Sequence, residues 1–211
     1  ILARLAHLGG LRVTVVAVSD PGRLRGEAAI AHAHAVDAGV EIRAWAARPA
    51  DMADVHVDAL LGTGLSGDVH GVFREAIETL NATAVPVLSL DVPSGLCAAT
   101  GCVLGASVQA TATLCFIAPK AGLLTGEAVA RCGCLWLDDL GCGEDVRASE
   151  PLGELFTFAS VLPSMKVRPA DAHKGQFGRV LVVGGDYGYG GAVILAAASA
   201  LRAGAGAVTC A

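Results

Sequence analysis

Residues 55–95 read VHVDALLGTGLSGDVHGVFREAIETLNATAVPVLSLDVPSG, and this stretch decides the fold. Val55 to Leu61 is an apolar run of strand length, closed by Gly62. A glycine-rich turn follows, then a helix-compatible stretch from Val72 to Leu80, then a second strand candidate, Val85 to Leu90. Strand, turn, helix and strand in that order make a βαβ unit, whose crossover leaves the two strands parallel.

The same alternation runs outward in both directions. Upstream, Ile1 starts inside a helix-like stretch, and Leu11 to Val18 (LRVTVVAV) is a β-branched run. Pro21 to Gly39 has a helix-compatible interior and a glycine stop, and Val40 to Trp45 is a short strand candidate. Downstream, Thr111 to Ile117 and Cys134 to Leu137 complete the set. The expectation is an α/β fold, a Rossmann-like three-layer arrangement with a parallel sheet between helices. From Gly143 to Ala170 the pattern breaks, with Pro151, Pro163 and Pro169 marking a connector. A strand over Arg179 to Val183, the glycine-rich run 184–191, a helix over Ala192 to Ala203 and a new strand then start a second α/β unit.

Composition narrows the function classes. Of 211 residues, 54% are hydrophobic and 17% charged, which supplies ample surface for a core and excludes disorder. Lys and Arg total 15 against 20 acidic residues, a net charge of −5. A nucleic-acid binder needs a basic stripe, so no nucleic-acid partner is expected. The longest apolar helix candidate, Ala192 to Leu201, is interrupted by Arg202, about half of the roughly twenty residues a membrane span needs. No membrane association is expected, and the chain reads as a cytoplasmic segment of a longer protein. Seven cysteines, at 97, 102, 115, 132, 134, 142 and 210, fit reduced thiols better than a disulfide framework. Cys115 and Cys210 fall in strand-like runs and are expected to be buried. Cys132, Cys134 and Cys142 have C-x-C rather than C-x₂-C spacing and lack a fourth ligand, which speaks against zinc.

In open α/β sheets, ligands bind outside the carboxyl ends of the strands. Two strands here end in an acid followed by a turn: Asp58 before Gly62-Thr63-Gly64-Leu65-Ser66-Gly67-Asp68, and Asp91 before Val92-Pro93-Ser94-Gly95. Both carboxylates are expected on one rim of the sheet. The glycine loop lets backbone N–H groups approach an anion, or is simply a tight βα turn. Asp91 can serve as a general acid/base with the Ser94 hydroxyl beside it, or can cap a local turn. Two strand-end carboxylates with a hydroxyl can also hold a hard cation through oxygen. Lys120, after the third of these strands, reads equally well as a partner for an anionic ligand and as a surface lysine. His173 and Lys174 stand in the same balance between an anion contact and a solvated loop. His32 and His34 read as solvated, and His56 as structural.

Taken in order, these motifs resemble the bifunctional NAD(P)H-hydrate repair enzymes. VDALLGTGLSGDVHG, ETLNATAVPVLSLDVPSGL, TGCVLGA and TATLCFIAPKAGLL carry the likeness to the epimerase domain. HKGQFGRVLVVGGDYGYGGAVILAAASALRAGAGAVT carries the likeness to the dehydratase. The resemblance implies an epimerase domain over residues 1–142 that lacks its N-terminal part, a connector over 143–170, and the start of a ribokinase-like dehydratase domain over 171–211. It implies that R and S forms of hydrated NADH or NADPH are interconverted, and that the S form is dehydrated with ADP or ATP. Asp58 and Ser94 match the family's potassium site, and Gly62 to Asp68 its substrate loop. Asp91 matches its substrate-contacting aspartate and is the acid/base candidate. Ala192 matches a substrate-contact position of the dehydratase. Magnesium is a candidate companion of the nucleotide, and a homo-oligomer is expected. The family's Gly-Asn-Asn-Gly-Gly-Asp-Gly loop, the dehydratase's later nucleotide loop and its catalytic aspartate have no counterpart in these residues, so the segment by itself is expected to be incomplete for both reactions. A small-molecule kinase and a catalytically silent dinucleotide-binding scaffold are the alternative readings.

Overall fold

Runs of Val, Leu, Ile and Ala give strands that are parallel throughout: every strand ladder among the described residues is parallel. The computed structural model describes residues 1–46, 53–165 and 167–211, so Lys166, within the expected connector, lies outside them. The described residues fall into two compact units, Ile1–Gly153 and Glu154–Ala211.

In the first unit, helix α1 (Leu2–Leu8) precedes strand β1 (Thr14–Ala17), helix α2 (Gly26–Asp37) and strand β2 (Glu41–Ala44). Strands β1 and β2 pair with each other as a two-stranded ladder. Strand β3 (His56–Asp58), helix α3 (Gly71–Asn81), strand β4 (Val87–Leu90), strand β5 (Ala112–Phe116) and strand β6 (Cys134–Asp138) follow. Those four strands form one sheet in the order β3-β4-β5-β6. The helix expected from Pro21 begins only at Gly26, because the Asp20 carboxylate accepts the Gly22 N–H and closes a separate 3₁₀ turn over Pro21–Arg23. The strand expected from Val55 to Leu61 pairs only over His56–Asp58. Its next two free amides turn to side chains instead, Leu60 to Asp58 and Leu61 to Ser94.

Two apolar clusters pack against this sheet, one including Val87 of β4 and the other Cys115 of β5. One gathers Val69, Ile77, Val87 and Val108, with Leu60, Leu61, Leu65 and Phe73 packed against it. The other gathers Val92, Leu96, Cys115, Leu123, Ala128 and Cys132. Within α3, Ala76 and Ile77 are buried while Arg74 and Glu78 pair on the exposed side, the division expected of an amphipathic helix. Burial pushes the Cys132 thiol up, so it behaves as a small apolar group. Cys134, two residues on, is exposed.

The region from Gly143 carries short helices, α4 (Gly143–Ala148) at the end of the first unit and α5 (Phe158–Val161) in the second. The second unit continues with strand β7 (Arg179–Val182), helix α6 (Gly191–Ala203) and strand β8 (Ala207–Cys210), one parallel βαβ crossover. None of its described residues is buried. Cys210, expected in a core, is exposed: a two-stranded ladder under one helix encloses too little space to bury it. No helix among the described residues is long and apolar enough to cross a membrane.

Ile77 is fully enclosed, and truncating it leaves a cavity under the sheet. Ile77→Ala in the full-length protein is expected to cost about 2–5 kcal/mol, read as a lower urea midpoint with unchanged slope. A shift within error of wild type contradicts the packing described.

Candidate functional site

The buried carboxylate of Asp58 organises the carboxyl rim of the four-stranded sheet. Asp58 ends β3 and lies opposite Ser89 of β4 in the parallel register. Asp58, Ser89 and Ser94 are all 1% exposed or less. The Asp58 Oδ2 accepts from the Ser89 hydroxyl at 2.8 Å and from the Ser94 backbone N–H at 2.9 Å. Its Oδ1 accepts from the Ser94 hydroxyl at 2.6 Å and from the Leu60 N–H at 3.3 Å.

Ser94 closes the link in the other direction. Its Oγ accepts the Leu61 N–H at 2.9 Å and also lies 3.1 Å from the Leu61 carbonyl. One hydroxyl carries one proton. The shorter contact to a charged acceptor takes it, so Ser94 donates to Asp58 and receives from Leu61. The loop after β3 and the turn after β4 are thereby tied through two side chains. The turn itself requires glycine at Gly95, which has φ +93° and whose missing Cβ would run into the Ala106 carbonyl.

Asp91 stands at the exit of β4 with φ +70°, a left-handed conformation that aspartate tolerates better than most residues. Its N–H donates to the Leu114 carbonyl of β5 at 2.7 Å. Its Oδ1 meets the Lys120 ammonium at 2.5 Å, and its Oδ2 lies 3.5 Å from where a Cβ on Gly62 would stand. The carboxylate is about a quarter exposed. A Cβ at Gly62 would stand in ordinary van der Waals contact with it.

The glycine loop runs over the same rim. Thr63, Gly64, Ser66, Gly67 and Asp68 are exposed, and Leu65 packs its side chain into the cluster around Ile77. The Leu65 N–H turns back to the Gly62 carbonyl, and the Val69 N–H is fixed by the Leu104 carbonyl. Asp58, Gly62 to Asp68, Asp91 and Ser94 therefore lie together on one rim, as their placement at strand ends predicts. Ala192 lies in the second unit, exposed in the first turn of α6 after the glycine-rich run. His173 and Lys174 are in that unit too, where the His173 N–H donates to the Gln176 side chain.

One participant, Ser89, escapes a reading of the sequence alone, and Lys120 is left open between two readings by it. Ser89 contributes a donor to Asp58; the signal available is a serine on the inward, alternating face of VLSL. Lys120 is an ion-pair partner of Asp91 within the chain rather than a free surface lysine.

The donor set around Asp58 is all oxygen: two carboxylate oxygens, the Ser94 hydroxyl and the Leu61 carbonyl. Among the described residues no cationic side chain pairs with this carboxylate. Hard oxygen donors around an unneutralised buried charge suit a hard cation and do not suit a thiophilic metal. No cluster of three or more His, Cys, Asp or Glu residues able to hold a metal occurs among the described residues.

The chain is similar to known proteins over nearly its whole length. The family described as YjeF-related protein N-terminus matches residues 1–122. A protein of Coxiella burnetii named bifunctional NAD(P)H-hydrate repair enzyme Nnr is 45% identical over 210 residues, covering 99% of this chain and 43% of that protein. The Escherichia coli protein of the same name is 39% identical over 208 residues, covering 99% of this chain and 40% of its own length. A Leishmania braziliensis protein named bifunctional NAD(P)H-hydrate repair enzyme is 38% identical, with 98% of this chain and 38% of the relative aligned. The chain thus spans less than half the length of these curated relatives.

Removing the Ser94 hydroxyl strands the Leu61 N–H and takes one donor from a buried carboxylate. Ser94→Ala in the full-length protein is expected to lose roughly 1–3 kcal/mol of stability in urea denaturation. A loss below about 0.5 kcal/mol, ordinary for an exposed site, contradicts the linkage.

Proposed function

The chain belongs to the YjeF-related protein N-terminus family, and from that premise we propose that residues 1–142 form an NAD(P)H-hydrate epimerase domain. The carrying observation is the juxtaposition of Asp91 with Gly62 at the rim, held by the Asp58–Ser94 link. The substrate is NADH or NADPH hydrated at C6 of the nicotinamide ring. Gly62, Thr63, Gly64, Leu65, Ser66, Gly67 and Asp68 bind it, the exposed backbone offering N–H groups to the anionic dinucleotide.

Asp91 is the acid/base. The C6 carbon of the hydrate carries a hydroxyl and is bonded to N1. Asp91 takes the hydroxyl proton as the C6–N1 bond breaks, C6 becomes a carbonyl, and Asp91 passes that proton on to N1. Rotation and reclosure from the opposite face reverse each transfer and deliver the other epimer with no net change of atoms or electrons. Holding the opened form in the site keeps the reclosing atoms in reach of one another. Asp58 and Ser94 would hold potassium, whose charge favours the anionic dinucleotide when bound.

Residues 143–170 are a connector and residues 171–211 the start of an ADP- or ATP-dependent dehydratase of ribokinase-like fold. There Ala192 is a substrate contact, and magnesium accompanies the nucleotide. In the full-length protein the S hydrate made by one half would be returned to NAD(P)H by the other, in the cytoplasm and as a homo-oligomer.

General acid/base groups contribute about 10²–10⁴-fold. Asp91→Asn in the full-length protein is therefore expected to slow interconversion of the separated R and S hydrates at least a hundredfold, followed by chromatography. Interconversion at the wild-type rate overturns the role of Asp91.

A further inference from the structure

We propose that Lys120 is a positioning residue for the Asp91 carboxylate, dividing its two oxygens between an anchored one and a working one. The inference rests on the epimerase reading of Asp91 given above. Lysine ammonium has three donors. In this structure the Lys120 Nζ meets the Asp91 Oδ1 at 2.5 Å, the Phe116 carbonyl at 2.7 Å and the Cys115 Sγ at 3.5 Å. All three partners belong to the ends of β4 and β5, so the ammonium is committed to the chain itself. Its side chain is only 22% exposed, well short of the solvated state usual for lysine.

The backbone is shaped to bring it there. Ile117, immediately after β5, has φ +67°. A β-branched residue in that region is a genuine outlier, and such outliers persist where the surroundings force them. The Ile117 N–H is held by the Asp138 carbonyl at 2.7 Å, and the Ala118 N–H turns back to the Phe116 carbonyl at 2.8 Å. The chain reverses over these residues and returns Lys120 onto the strand end it has just left. The 3₁₀ turn after it, Ala121–Leu123, is fixed where the Gly122 N–H donates to Ala98.

With Oδ1 engaged, the oxygen facing Gly62 and the substrate loop is Oδ2. In the reaction above, Oδ2 is the atom that accepts and returns the C6 hydroxyl proton. Lys120 fixes the rotation of the carboxylate. A misplacement of about 1 Å in such a group can cost on the order of a hundredfold in rate.

The test uses the full-length protein, resolved R and S hydrates of NADH, and four variants: Lys120→Met, Lys120→Arg, Asp91→Asn and the double variant Asp91→Asn/Lys120→Met. Lys120→Met is expected to lower kcat about 10–100-fold with KM within about twofold, the signature of an interaction realised in the transition state. Lys120→Arg, which keeps the charge, is expected to recover at least about tenfold of that loss, which a purely structural role would not require. The double variant is expected to be no slower than Asp91→Asn alone, because Lys120 acts through Asp91. A raised KM with unchanged kcat makes Lys120 a substrate contact and overturns the proposal, as do multiplicative losses in the double variant. If Lys120→Met does not fold, Lys120→Arg decides: near-wild-type kcat supports the proposal, and a loss as deep as that of Asp91→Asn overturns it. Wild-type protein without epimerisation removes the epimerase reading itself. An active wild type with an unaffected Lys120→Met removes this inference alone.

Discussion

A buried carboxylate must be satisfied where it stands, and that requirement at Asp58 fixes the rim. Taking a carboxylate out of water costs several kcal/mol unless donors replace the lost hydration. Four donors do so here, from Leu60, Ser89 and, twice, Ser94. None of them is free to move without uncovering the charge. The turn after β4 and the loop after β3 are therefore held in one relation, and Asp91 and Gly62 inherit it. Gly95 is the backbone counterpart of this constraint, because only glycine clears the Ala106 carbonyl at that place.

The rim also carries unusual backbone. Asp91 follows β4 and Ile117 follows β5, both with positive φ. Neighbouring parallel strands that end in left-handed residues turn their exits sharply toward the same edge. For Asp91 that turn presents a side chain, and for Ile117 it returns Lys120 to the strand ends. Conformational strain concentrated beside the proposed acid/base is what a site held against relaxation is expected to show.

Much of this was legible in the sequence. The βαβ stretch over residues 55–90 carries its own period and glycine punctuation, so α3, β4 and their parallel relation follow from local pattern. Strand-end placement alone puts Asp58, Asp91 and Ser94 on one rim. Boundaries were less legible: β3 stops at Asp58 because side chains capture the next amides, and a hydrogen bond between residues 61 and 94 leaves no trace in local spacing. Lys120 admits two readings for the same reason, since its partner is 29 positions away. Cys210 reads as buried but is exposed, because an apolar strand pattern records what can be buried, while burial depends on the layers around it.

Hydrogen exchange at two amides reaches the central constraint most directly. Leu61 and Ser94 both lie beyond the ends of their strands, where amides ordinarily exchange quickly. Bound to the Ser94 hydroxyl and the Asp58 carboxylate, the two are expected to be strongly protected in the full-length protein and to open together, with a common free energy. Exchange of either amide at the rate of an unstructured loop would contradict the anchoring of the rim by Asp58.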